Sequence, residues 1–101
     1  MIGAIAGDII GSRFEASNHK SKIFKLFTPE CKFTDDSVVT IAIAKAIMEA
    51  DTRGGLSGAS QYDHGWDYAL VADMATKNMQ TLGRKYPHCG YGGMFAQWIF
   101  N

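Results

Sequence analysis

Two segments of this chain repeat apolar residues at helical spacing and leave almost no polar face. Residues 2 to 15 place Ile2, Ile5 and Ile9 on one side of a helical wheel and Gly3, Gly7 and Gly11 on another, flanked by Ile10 and Phe14. Residues 35 to 50 surround a second helix with Val39, Ile41, Ile43, Ile47 and Met48, leaving Lys45 and Glu49 as its outer edge. Helices of this kind fold by burial against other helices. The glycines of the first cost about 1 kcal/mol each relative to alanine, so their four-residue ridge predicts another backbone packed closely on it. Both helices are expected to be central and largely buried.

The rest of the chain fits an all-α fold, with no internal repeat, interdomain linker or strand pattern. Residues 16 to 33 read as a loop, with the polar stretch 17–21 and Pro29 as breakers. A second loop covers 51 to 63, around Gly54, Gly55 and Gly58. A third helix from about 64 to 82 carries an apolar stripe of Tyr68, Val71, Ala72, Ala75, Met79 and Leu82, opposite Asp73, Lys77 and Gln80. Pro87, Gly90, Gly92 and Gly93 form a turn, and Met94 to Phe100 starts a last helix.

With 101 residues the chain is one domain or a piece of one. Its net charge is zero, and its densest basic run, Lys20, Lys22 and Lys25, reads as a solvated loop. No nucleic-acid partner is expected. Asp8 cuts the apolar start short of an export signal, and no apolar run approaches the roughly 18 residues of a membrane span. Cys31 and Cys89 lack metal-type spacing, and the cytoplasm is the default compartment. His19, His64 and His88 are scattered and read as surface residues. Trp66 and Trp98 read as packing residues.

Acids inside the apolar segments are the candidate chemistry. Asp8, Ser12 and Glu15 share a narrow arc at spacings of four and three. Thr34-Asp35-Asp36 opens the second helix. Helix capping explains acids at a helix start. The same hydroxyl and carboxylates are also hard oxygen ligands suited to Mg²⁺, Mn²⁺ or Ca²⁺. If the two helices pack together, Glu15 reaches the same ion. The Gly90-Tyr91-Gly92-Gly93 turn offers backbone N–H groups to a phosphate, although a plain loop accounts for it as well.

Taken in order, Gly3-Ala4-Ile5-Ala6-Gly7-Asp8-Ile9-Ile10-Gly11-Ser12-Arg13-Phe14-Glu15, then Phe33-Thr34-Asp35-Asp36-Ser37, then Gly90-Tyr91-Gly92-Gly93, the chain resembles the N-terminal part of an ADP-ribosylglycohydrolase. The resemblance implies an all-α, bundle-like fold with two Mg²⁺ or Mn²⁺ ions. It implies hydrolysis of the glycosidic bond between ADP-ribose and a protein side chain or small acceptor. Thr34, Asp35 and Asp36 would then be metal ligands and Glu15 the catalytic acid that activates water. Asp8 would have a supporting role, and Gly90, Tyr91, Gly92 and Gly93 would lie near the ligand cleft. Domains of that family run to roughly two or three times this length and close the site with a second, Asp-x-Asp-Thr motif. No such motif occurs here, and no Asp or Glu follows Asp73. The expectation is a partial domain, 1–101, with a natural start and a cut end. Such a chain would be incomplete as an enzyme and complemented by a C-terminal fragment or a second copy. The alternative is a non-catalytic helical module that oligomerises or pairs with a partner chain.

Overall fold

The structure, a computed structural model, describes residues 1–52 and 67–101. The expected loop around Gly54, Gly55 and Gly58, the start of the third helix at 64, His64 and Trp66 lie outside the described residues. Among the described residues four α-helices follow one another: α1 (Ile2–Gly11), α2 (Asp35–Thr52), α3 (Tyr68–Lys85) and α4 (Gly93–Phe100). There is no strand among the described residues. None of the described helices is long and apolar enough to cross a membrane.

The core is the α2–α3 pair. Ala42, Ala46 and Ala50 recur every fourth residue of α2 and are fully buried, with Val38 one turn earlier at 4% exposure. Small residues on a four-residue ridge let a second helix approach closely. Ala46 packs with Met74 and Ala75 of α3, and Leu70 and Met79 border the cluster. A polar side chain sits in this seam. Asn78 is buried. Its Nδ2 donates to the Ala42 carbonyl and to Glu49 Oε1, both at 3.4 Å, and its Oδ1 accepts from Lys45 Nζ at 3.4 Å. Lys45 and Glu49 pair at 3.0 Å one turn apart on α2.

Helix α3 begins with Asp67, whose Oδ1 accepts from the Leu70 N–H at 3.1 Å, and its last turn carries Arg84 and Lys85. Both features suit the helix dipole. The buried face follows the predicted stripe only in part: Ala75 is buried and Val71, Met79 and Leu82 are half-buried. Tyr68 is 69% exposed and Ala72 is exposed, whereas Met74, Ala75, Asn78 and Gly83 are buried. Asn78 takes a core place because its amide bonds are met across the seam. Gly83 is buried because α4 crosses there: a Cβ on it would lie 2.8 Å from both Cδ1 and Cγ2 of Ile99. Ile99 is fully buried. Gln80 Nε2 donates to the Trp98 carbonyl at 3.1 Å and Arg84 Nε to the Ile99 carbonyl at 2.8 Å, which fixes α4 on α3. Trp98 packs on Phe95, with ring centroids 5.4 Å apart.

Helix α1 departs from the expectation of a tightly packed central helix. None of its residues is buried, and Ile2 is 86% exposed. A Cβ on Gly3, Gly7 or Gly11 would meet nothing within 4 Å, so the glycine ridge faces open space among the described residues. Among the described residues helix α1 packs on α2 alone of the other α-helices, and one neighbour covers only one side of a helical cylinder. Ile5 and Ile9 take that side, where with Phe33, Val38, Ile41, Leu82 and Tyr86 they line an apolar hollow of about 300 Å³. The helix is also shorter than the predicted 2–15. It ends at Gly11 and continues as a 3₁₀ turn, Ser12–Phe14, that hands the chain to Glu15.

Candidate metal centre

The site lies where α1 and its 3₁₀ turn meet the N-terminus of α2. Thr34 is the N-cap of α2: its carbonyl accepts from the Val38 N–H at 3.3 Å and its Oγ1 from the Asp36 N–H at 3.3 Å. Asp35 and Asp36 follow in the first turn, where carboxylates suit the positive end of the helix dipole. The capping account of this motif therefore holds. It does not exhaust the motif, because Asp8 arrives from α1.

Asp8 accepts four hydrogen bonds from the start of α2. Its Oδ2 takes the Thr34 N–H at 2.8 Å, the Ser37 N–H at 3.2 Å and the Ser37 hydroxyl at 2.6 Å. Its Oδ1 takes the Thr34 hydroxyl. Thr34 and Ser37 are buried, at 4% and 2% exposure. Partial burial pushes the Asp8 carboxyl up, but the hydrogen bonds from Ser37 and Thr34 outweigh it and hold the group below the usual carboxylate range. Asp8 thus joins two helices as an anion shared between α1 and the amide end of α2. Sequence reasoning attached no role to Ser37; the signal available was its position one turn into α2 from Thr34, where its N–H and hydroxyl point to the same acceptor.

The 3₁₀ turn brings Glu15 to the same place. One carboxylate oxygen each from Asp8, Glu15 and Asp36 lies within 4.8 Å of the others. Glu15 and Asp36 are exposed, and Asp8 is half-buried beneath them. With Ala4, Gly7, Gly11, Val39 and Thr40 they line an open groove of about 560 Å³. Three carboxylates in one place repel one another unless a cation or solvent screens them. As a donor set they are hard, oxygen-only and partly open to solvent, which suits Mg²⁺, Mn²⁺ or Ca²⁺ and not a thiol- or imidazole-seeking metal. Asp8 Oδ2 is saturated by its three donors, so its remaining acceptor capacity toward the groove is on Oδ1.

Of the residues expected to bind metal, Asp36 stands in this group, and Thr34 is buried beside Asp8, to which it gives its hydroxyl proton. Asp35 faces the glycine turn. Its N–H donates to the Cys89 carbonyl at 2.8 Å, and its charge is one of the influences on Tyr91. Gly90 adopts φ +86°, and Gly92 is the N-cap of α4. The Tyr91 hydroxyl donates to the Tyr86 carbonyl at 2.8 Å. Burial first, then Cys89 and Asp35, push its pKa up to about 12. The segment 89–93 is therefore joined to the start of α2 through Asp35, and its N–H groups lie outside the groove lined by the three acids.

Arg13 fixes the remainder of the turn. Its Nη1 donates to Thr28 Oγ1 at 2.8 Å, its Nη2 donates to the Lys25 carbonyl, and its guanidinium lies 4.6 Å from the centroid of the Phe14 ring. His19 stacks on the same ring, with centroids 4.9 Å apart. Both His19 and His88 are exposed.

Comparison with protein-family models, with curated proteins and with solved structures finds no match for this chain.

Proposed function

We propose that this chain carries the N-terminal side of a metal-dependent hydrolase that cleaves the glycosidic bond of ADP-ribosylated proteins or small molecules. The observation that carries the reading is the convergence of Asp8, Glu15 and Asp36 from parts of the chain 28 residues apart. The motif resemblance adds the reaction class. Asp36, Glu15 and the free capacity of Asp8 would hold a Mg²⁺ or Mn²⁺ ion, with Thr34 and Asp35 as the further ligands that the resemblance implies. Two such ions are expected in the complete site. A bound ion would orient the ribose hydroxyls and stabilise negative charge as the bond breaks.

The chain's own groups do the rest. Glu15 follows the 3₁₀ turn with an exposed carboxylate at the groove. As general base it takes a proton from water while the water oxygen bonds to the anomeric carbon. The electron pair of the broken glycosidic bond leaves with the acceptor nitrogen or oxygen, which takes up the proton that Glu15 removed from the water. Asp8 keeps the start of α2 in place beneath the reacting groups. The reading places the protein in the cytoplasm, where ADP-ribosylated substrates occur, with a complementary C-terminal fragment or a second copy completing the site.

The test is release of free ADP-ribose from arginine-, serine- and O-acetyl-linked substrates in Mg²⁺ or Mn²⁺. Cleavage of at least one, lost on chelation and in Glu15→Gln, is the expected result. No release by the chain, alone or with a supplied C-terminal half of such an enzyme, contradicts it.

A second reading, a helical module that oligomerises or pairs with another chain without catalysis, is favoured by a specific observation. The radius of gyration is 16.8 Å, against about 13 Å for a compact chain of this length. Helix α1 buries no residue, and Ile2 and Met94 are 86% and 87% exposed. Light scattering after size exclusion separates the readings: a stable monomer that cleaves substrate removes the second.

A further inference from the structure

The acids of the groove stand on two unlike supports. Asp36 belongs to a regular helix and is fixed by it. Glu15 stands just past a single 3₁₀ turn, which is a weak support on its own. Something must hold that turn toward α2, and the hydrogen bonds identify it.

Ser12 opens the turn and is buried at 9% exposure. Its hydroxyl donates to the Ile9 carbonyl at 2.8 Å, within the last turn of α1. The same oxygen accepts from the Lys32 N–H at 3.0 Å. Lys32 lies two residues ahead of Thr34, so this bond ties the Glu15 turn to the stretch of chain that enters α2. Arg13 ties the turn too, but to residues 25 and 28, away from α2. Asp8 ties α1 to α2 one helical turn earlier, and cannot by itself fix the residues beyond Gly11. Ser12 is thus the link that sets the distance from Glu15 to Asp36.

We propose that Ser12 is a positioning residue, holding Glu15 against Asp36 so that the groove meets a divalent cation already assembled. The inference rests on the metal-dependent reading above. Ser12 itself touches no ion. It acts as outer partners of metal ligands do, by fixing the ligand's place before binding.

The experiment is a Mn²⁺ titration followed by electron paramagnetic resonance on the whole chain. Wild type, Ser12→Ala, Ser12→Thr, Asp36→Ala and Asp67→Ala are compared. Ser12→Ala should weaken Mn²⁺ binding on the order of tenfold, the size seen when outer-shell partners are removed. Ser12→Thr, which keeps the hydroxyl, should recover most of it. Asp67→Ala removes the cap of α3, far from the groove, and controls for lost stability; its Mn²⁺ affinity should match wild type. Equal affinity in wild type and Ser12→Ala overturns the positioning role and leaves the metal reading standing. Binding that is absent from wild type, or unchanged in Asp36→Ala, overturns both. Should Ser12→Ala not fold, hydrogen exchange of the Lys32 amide in the wild-type chain decides. Protection supports the tie, and exchange at the rate of a free peptide overturns it.

Discussion

Replacing Asp8 is the most informative single perturbation of the fold, because its carboxylate is the acceptor for four donors on α2. In Asp8→Ala the N–H groups of Thr34 and Ser37 lose that acceptor in a place where both residues are nearly solvent-free. A buried donor left unmade costs about 1–3 kcal/mol. The two hydroxyls can rotate to other acceptors, so the backbone groups dominate and the loss is about 3 kcal/mol. A domain of this size gains or loses roughly 4–8 °C in melting temperature per kcal/mol, so Tm should fall by roughly 10–25 °C. Asp8→Asn keeps one oxygen acceptor and should lose about half as much. Urea unfolding followed by circular dichroism measures both. The contribution also depends on pH. The folded-state pKa of Asp8 is lowered from 3.8, so its stabilisation is complete above that value and is lost as pH falls through the folded-state value beneath it. The stability gap between wild type and Asp8→Ala should therefore be constant from pH 7 to 5 and should shrink below pH 3.8. A loss under about 0.5 kcal/mol in Asp8→Ala, the scatter of neutral surface substitutions, or a gap that widens in acid, would show that Asp8 does not hold the start of α2.

Further substitutions test the packing and the turn. Gly7→Ala adds a methyl to open space and exchanges a poor helix former for a good one, so it should stabilise by up to about 1 kcal/mol. Gly83→Ala drives a Cβ to 2.8 Å from two Ile99 atoms and should destabilise by about 1–3 kcal/mol; chemical denaturation distinguishes the two, and destabilisation by Gly7→Ala would mean that something packs on the α1 ridge. Asn78→Ala removes the buried amide between α2 and α3 and should cost about 1–3 kcal/mol in the same assay. Absorbance titration of tyrosinate should show Tyr91 ionising near pH 12, a step that Tyr91→Phe should abolish. Because the folded-state value is raised above 10.0, its neutral-state contribution is present below pH 10 and disappears as pH rises through about 12.

The helices themselves were legible in the sequence, since apolar spacing and the breakers Pro29, Pro87 and the glycine turn locate them to within a few residues. What covers each face was not. Periodicity gives the sides of α1 but not what covers them, and among the described residues nothing packs on the Gly3-Gly7-Gly11 ridge, of which Gly7 and Gly11 line the groove. Along α3 a polarity scale assigns Asn78 to the outside, whereas hydrogen bonds across the seam keep it in the core. The acids at 8, 15 and 36 were visible as misfits in apolar segments, and the helical arc already grouped Asp8, Ser12 and Glu15. That Asp8 would accept from the α2 terminus, and the Asp35 N–H donate to the Cys89 carbonyl, depends on how separate segments meet, which no local pattern encodes.

Paramagnetic broadening of amide signals by substoichiometric Mn²⁺ reads directly where a hard divalent cation goes on this chain. A cation held by Asp8, Glu15 and Asp36 should selectively remove signals from residues 7–15 and 34–40, leave those of the exposed α3 face around Asp73 and Lys77 unchanged, and be displaced by excess Mg²⁺. Broadening centred elsewhere, spread evenly over the surface acids, or absent at millimolar Mn²⁺ would contradict that placement.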